Sequence, residues 1–141
     1  MPNLKFSPQV EEFLSRRLLG RLATSSFDGQ PHVVPVWFLW EDGAIWISSY
    51  KSTRKVIDIE SNPKCALVVD IENAEDGLTA VMIEGISELI KLPSDEVKQR
   101  ILCIYTKYLG SDGVEDTDPQ TWLNSPENLL IKLTLSKIKS W

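Results

Sequence analysis

Residues 44–57 read Ala44-Ile45-Trp46-Ile47-Ser48-Ser49-Tyr50-Lys51-Ser52-Thr53-Arg54-Lys55-Val56-Ile57. A β-branched and aromatic run passes into hydroxyls and then cations. The stretch holds no acidic residue, in a chain of formal net charge −5. The first half has the composition of a strand, and the spacing of Val56, Ile57 and Ile59 predicts a short helix over 53–61, ending before Asn62-Pro63. Lys51, Arg54 and Lys55 thus put three cations within five residues where a strand ends and a helix begins. A helix N-terminus leaves backbone N–H groups free to meet an anion, and the aligned peptide dipoles add partial positive charge. Arg grips phosphate oxygens with two parallel hydrogen bonds, and Lys acts as a point charge. A phosphate monoester is one reading of this junction. An exposed basic turn with Ser52 as the helix cap is the other, and composition alone does not separate them.

The segments on either side read as strands of a small sheet. Before it, a turn at 41–43 follows a strand over 32–40, which the hairpin signal Asp28-Gly29 joins to a strand over 21–25. Ser7-Pro8 opens a helix over 8–19, with Glu11 and Glu12 in its first turn and Val10, Phe13, Leu14 and Leu18 at helical spacing, closed near Gly20. After the junction come a strand over 64–71, a loop over 73–77 and a long strand over 78–91 bent at Gly85. Ser94-Asp95-Glu96 opens a second long helix whose Val97, Ile101, Ile104, Tyr105 and Tyr108 share one face. A polar loop over 110–118, one helical turn over 119–123 and a last strand over 128–136 complete the pattern. The expectation is one domain over residues 1–141, mainly β with flanking helices, built on a six-stranded barrel.

The 32–40 strand decides why a barrel is expected. Val33, Pro35, Trp37 and Leu39 lie on one face, and Val34, Val36, Phe38 and Trp40 on the other. A sheet with one wet face would alternate with polar residues, so both faces must be covered, one by a barrel interior and the other by a helix, subunit or ligand. Pro35 donates no hydrogen bond, which places this strand at an edge or a bulge.

Composition narrows the classes further. With 43% hydrophobic and 25% charged residues the chain is globular in type. No apolar run is long enough to span a bilayer, and the first residues lack the pattern of a signal peptide. A net negative charge disfavours general nucleic-acid binding. Cys65 and Cys103 lie far apart in apolar stretches, which predicts two buried free thiols and a reducing, cytoplasmic setting.

The order of short motifs resembles a family. Gly20-Arg21-Leu22-Ala23-Thr24, Asp28-Gly29-Gln30-Pro31-His32, Pro35-Val36-Trp37-Phe38, the Thr53-Arg54-Lys55 turn before Asn62-Pro63 and Val81-Met82-Ile83-Glu84-Gly85 follow one another as in the pyridoxamine-5′-phosphate-oxidase-related flavoproteins. The layout is closest to the short flavin and deazaflavin oxidoreductases. The resemblance implies an FMN-binding split barrel that dimerises, with cofactor sites between subunits. Arg54 and Lys55 would hold the cofactor phosphate, helped by Lys51, Ser52 and Thr53. Ser48 and Ser49 would lie along the ribityl chain and phosphate. Pro35, Val36 and Trp37 would flank the isoalloxazine ring, and Leu78 and Thr79 would approach from the second subunit. The oxidase that makes pyridoxal phosphate has a Gln near the position of Ala80 and basic C-terminal residues that have no counterpart here, so pyridoxamine phosphate is not the expected substrate.

Flavin chemistry asks no protein nucleophile of the chain, and the sequence nominates no catalytic residue and no metal ligand. His32, the only histidine, begins a strand and reads as a surface or interface residue. Arg21 reads as an ion-pair partner, Glu84 and Glu88 as interface salt-bridge formers, and the acids of 112–118 as a solvated loop. Trp37, Trp40 and Trp46 are expected in the core or dimer interface, with Trp122 and Trp141 covering the site or closing the barrel. Three functions follow: an FMN-dependent oxidoreductase with a small-molecule substrate, a reductase using the deazaflavin coenzyme F-420, or a non-catalytic flavin- or haem-binding protein on the same barrel.

Overall fold

Ser7 caps the first helix by accepting the Val10 N–H at 3.1 Å, with Pro8 in the first turn where its missing N–H is no loss. The computed structural model describes residues 6–74, 77–91 and 94–141; residues 1–5 and part of the expected 73–77 loop lie outside them. Its helices are α1 (Pro8–Ser15), α2 (Arg54–Ser61), α3 (Asp95–Gly113) and α4 (Thr117–Asn124). Its strands are β1 (Gly20–Ser25), β2 (Pro31–Val36), β3 (Leu39–Glu41), β4 (Ala44–Tyr50), β5 (Lys64–Asp70), β6 (Ala80–Lys91) and β7 (Asn128–Ser140).

The strands form one sheet in the order β2-β1-β5-β6-β7-β4-β3, with every described pair antiparallel. β2 and β3 are the two outer strands of that order, yet only Trp37 and Phe38 separate them along the chain. The sheet must therefore curl until its edges meet, which makes a barrel split at Trp37-Phe38. This is the mainly β, helix-flanked split barrel expected, with seven strands in place of six because the 32–40 run breaks. Pro35 lies on the edge strand, opposite Arg21. At the break, two residues of α3 take over from the ladder: Phe38 N–H donates to Tyr108 Oη at 3.2 Å, and Lys107 Nζ donates to the Phe38 carbonyl at 2.9 Å.

Other departures from the expected elements have similar tertiary causes. α1 stops at Ser15 and not near Gly20, and Tyr108 Oη donates to the Leu18 carbonyl at 2.7 Å, holding the chain extended on its way into β1. Gly20 is a packing glycine: a Cβ there would come within 2.9 Å of Leu67. The expected 110–118 loop is mostly helical, with α3 broken at Gly110 (φ 80°, ψ 167°) and α4 running eight residues. β7 extends beyond 136 because it pairs with β6 along nearly its whole length. The register shifts at Gly85, where a Cβ would lie 2.0 Å from the Thr134 carbonyl oxygen, so the bend is possible only for glycine.

β4 divides two apolar layers. Ile45 and Ile47 face the barrel interior with Leu22, Leu67, Ile83 and Ile131, closed by Phe13 and Leu14 of α1 and Val56 and Ile59 of α2. Ala44 and Trp46 face α3, against Ile101, Ile104 and Tyr105. β2 has no such double cover, and Val33 is 66% exposed. Cys65 is buried, but Cys103 is exposed on α3, so only one of the two expected buried thiols is buried. Arg21 pairs with Asp70 at the surface, as the structural reading of it requires. No helix among the described residues is long and apolar enough to cross a membrane.

Candidate functional site

The turn between β4 and α2 is held by its own backbone. Lys51 N–H donates to the Glu127 carbonyl at 2.9 Å, and Thr53 N–H to the Tyr50 carbonyl at 3.1 Å. The N-cap residue of α2 is Thr53, not Ser52. Thr53 commits its hydroxyl proton to the Tyr50 carbonyl at 2.8 Å, so Ser49 Oγ is the donor in its 2.8 Å contact with Thr53 Oγ1. No side chain caps the first turn of α2, and its leading N–H groups remain open to an anion. Ser52 and Lys51 are exposed beside them.

Arg54 is anchored from behind. Its Nε donates to Asp58 Oδ1 at 2.9 Å, while Thr24 Oγ1 donates to Asp58 Oδ2 at 2.8 Å. Burial pushes the Asp58 carboxyl up, but the hydrogen bonds from Thr24 and Arg54 outweigh it and hold the group below the usual carboxylate range. The anchoring uses only Nε, and the two terminal nitrogens of Arg54 have no hydrogen bond among the described residues. Lys55 is half-buried and forms no ion pair among the described residues. Burial alone draws its ammonium below the ordinary lysine range.

Lys55 opens into a cavity of about 350 Å³ lined by Leu19, Pro35, Val36, Trp37, Ser48, Lys55, Ile104 and Tyr105. Five residues nominated from sequence, on three separate segments, therefore meet there: Pro35, Val36, Trp37, Ser48 and Lys55. Trp37 stacks flat on Tyr108 (centroids 5.1 Å, planes 4° apart) and meets Tyr105 edge-on at 6.3 Å, so its indole is fixed as a wall. A second hollow of about 290 Å³ shares Trp37, Ser48 and Tyr105 and adds Ser49, Tyr50, Trp122 and Asn128. Trp122 lines this hollow, while the Trp141 carbonyl accepts from Thr79 and Ala80 at the start of β6.

Leu78 and Thr79 do not join this cavity within one chain. Thr79 lines a different hollow with Arg21, Asp70 and Trp141, and its Oγ1 donates to the Trp141 carbonyl. His32 is partly buried on β2, and its Nδ1 has no partner among the described residues. Sequence reasoning missed Tyr105 and Asn128 as lining residues. Both carried signals of other roles, Tyr105 on the apolar face of α3 and Asn128 as the first residue of a strand. The described residues contain no group of three His, Cys, Asp or Glu side chains suited to a metal ion. The arrangement joins an anion-attracting end to an aromatic chamber, and its described lining residues include no nucleophile and base in contact.

The family model for pyridoxamine 5′-phosphate oxidase matches residues 6–141. No curated protein matches the chain by sequence. Among solved structures, a conserved hypothetical protein from Mycobacterium tuberculosis superposes with TM-score 0.81 at 21% identity, over 98% of this chain and 85% of that one. An F420 reductase superposes with TM-score 0.72 at 24% identity, over 92% of this chain and 94% of its own. The haem storage protein HutZ from Vibrio cholerae does so with TM-score 0.75 at 15% identity, over 97% and 95%. At these identities the structural likeness is one of fold.

Proposed function

This chain belongs to the pyridoxamine 5′-phosphate oxidase family, and we propose that it is an FMN-binding oxidoreductase acting as a homodimer on a small-molecule substrate. The observation that carries the proposal is the end of the cavity at α2. The uncapped N-terminus of α2 carries Lys55, which lines the cavity walled by Pro35, Val36 and Trp37 and forms no ion pair among the described residues. Next to it in the chain stands Arg54, outside the cavity lining, whose terminal nitrogens make no hydrogen bond among the described residues. A phosphate monoester satisfies the cationic end, where Lys51, Ser52 and Thr53 lie close in the chain, and a planar ring system suits the aromatic wall. Ser48 lines both hollows and Ser49 the second. When bound, the flavin supplies hydride or electron transfer, and the protein's part is to grip the phosphate, orient the ring and exclude water.

The homodimer is proposed on two grounds. Val33 and Ile86 are 66% and 44% exposed on strands of the barrel, an apolar surface suited to a second subunit. Leu78 and Thr79, which do not reach the cavity of their own chain, would then reach that of the partner. A strictly monomeric species in light scattering at micromolar concentration would overturn this part.

The deazaflavin coenzyme is the second reading, favoured by the likeness to the F420 reductase, whose fold this chain shares at TM-score 0.72. A haem-binding role is the third, by the likeness to HutZ. One experiment separates them: absorption spectra of the purified protein titrated with FMN, deazaflavin and haem in turn, with dissociation constants for each. Tightest binding of FMN, followed by reduction of the bound flavin by a nicotinamide or another small reductant, is the expected result. Failure to bind FMN would overturn it.

A further inference from the structure

Ser48, Tyr105 and Asn128, all lining the second hollow, form a closed ring of hydrogen bonds. Asn128 Nδ2 lies 2.9 Å from the Trp122 carbonyl, which can only accept, so the orientation of the Asn128 amide is fixed. The same Nδ2 donates to Tyr105 Oη at 2.9 Å. Asn128 Oδ1 therefore faces Ser48, and Ser48 Oγ donates to it at 2.7 Å. With the serine proton so committed, the 3.3 Å contact between Tyr105 Oη and Ser48 Oγ runs from tyrosine to serine. Burial also holds the Tyr105 phenol protonated, above its ordinary range.

The polar protons of the ring thus point to one another or, for the second Asn128 amide proton, to the Trp122 carbonyl. Toward the hollow, Ser48 Oγ and Tyr105 Oη offer lone pairs only. Trp37, Tyr50 and Trp122 line the same hollow, and no charged side chain among the described residues does. Lys55 lines the contiguous cavity, which disfavours a cation. Tyr50 Oη and the indole N–H groups of Trp37 and Trp122 have no partner among the described residues, so they can meet an acceptor elsewhere on the same molecule.

We infer that this hollow is a subsite for an uncharged planar group carrying its own N–H or O–H donor, such as a phenol or an N–H heterocycle, and that it selects against analogues in which that proton is replaced by methyl. The inference deepens the proposed function by naming the class of group this hollow takes, and it rests on that reading only in treating the hollow as part of the site. The lone pairs of a buried ring left without a donor carry a desolvation penalty, which is the source of the selection.

The test uses phenol and anisole as probes of the 141-residue chain without cofactor, with dissociation constants from ligand-observed NMR. Burial of apolar surface alone favours anisole, which carries the extra methyl. The expected result is the reverse, with phenol bound about fivefold or more tightly, the worth of one neutral hydrogen bond. In S48A/Y105F, checked for folding by circular dichroism, the preference should vanish. Anisole binding as tightly as phenol, millimolar probes failing to bind at all, or a preference that survives in the folded double variant would each overturn the inference. If the variant does not fold, the wild-type ratio decides alone. FMN titration reads the other end of the site, so a phenol preference without FMN binding would sink the cofactor proposal and leave this one standing.

Discussion

The two ends of the cavity are built in opposite ways. The cationic end comes from five consecutive residues, 51–55, exposed or half-buried, with charges held in place by a short helix. The ring end comes from Ser48, Tyr105 and Asn128, which stand 57 and 80 residues apart from Ser48 and are tied by hydrogen bonds among themselves. One end offers donors and positive charge, and the hydrogen-bonded ring at the other offers acceptors. A ligand with an anionic tail and a donor-bearing ring can satisfy both at once. The contrast also separates affinity from selectivity: charge-assisted contacts supply the larger energy, and the neutral ring decides which planar group is admitted.

The largest expected effect is at the cationic end. Replacing Arg54 and Lys55 together by Ala should weaken FMN by about 3 kcal/mol or more, since each charge-assisted contact contributes about 1.5–3 kcal/mol. That is more than a hundredfold in the dissociation constant, read by fluorescence titration. Unchanged affinity would refute the phosphate assignment. The same variant should retain the phenol preference of the ring end.

Next in size is the buried support of Arg54. Asp58→Ala removes a carboxylate that accepts from both Thr24 and Arg54 and should lower stability by about 2–3 kcal/mol, on the order of 10 °C in Tm for a chain of this size. The pH dependence follows from the sign of the shift. Asp58 has a lowered folded-state value, so its contribution is present above the ordinary aspartate range and is lost as pH falls through the lowered value. Thermal unfolding of wild type and Asp58→Asn across the acid range should show a shallower acid limb in the variant. Equal acid limbs would mean that Asp58 is not the support of this end.

The same contrast explains what could be read without a structure. The strands announced themselves through β-branched runs and the turns through Asp28-Gly29 and Glu41-Asp42-Gly43, because these are local preferences. The cationic end was equally visible, since charge density over five residues is a property of the sequence itself. That Pro35, Val36 and Trp37 approach Ser48 and Lys55 followed from family resemblance, not from periodicity. The ring was invisible for a physical reason. Tyr105 falls on the apolar face of α3 with Ile101, Ile104 and Tyr108, and helical spacing does not distinguish a phenol that packs from one that lines a hollow. The break of the 32–40 strand was hidden likewise, because its backbone is satisfied by Lys107 and Tyr108, about 70 residues away.

A smaller effect concerns pH at the cationic end. In the free protein burial holds Lys55 below the ordinary lysine range, and a bound phosphate favours its charged form. FMN affinity should therefore be constant between the phosphate's own second titration, at about pH 6, and that lowered value. Above it, affinity should fall by up to about tenfold per pH unit, as binding comes to require proton uptake. Lys55→Met should abolish this slope and leave FMN weakly bound at every pH. A slope that persists in Lys55→Met would assign the titration to another group and remove Lys55 from the phosphate site.

The smallest effect distinguishes a binding turn from a merely basic one. If the turn were only a helix start, Ser52 would be its natural cap and Ser52→Ala would cost about 1 kcal/mol of stability. In the structure the cap position belongs to Thr53, and Ser52 is exposed with no hydrogen bond among the described residues. Its loss should change stability by less than about 0.5 kcal/mol, as for other surface substitutions. A hydroxyl free at the open end of a helix beside Arg54 and Lys55 is placed to donate to a phosphate oxygen. Ser52→Ala should then weaken FMN by about 1 kcal/mol, roughly fivefold, with Tm unmoved. The opposite pattern, a lowered Tm with unchanged FMN affinity, would make Ser52 a structural cap after all and reduce the phosphate-binding role to Arg54, Lys55 and the helix backbone.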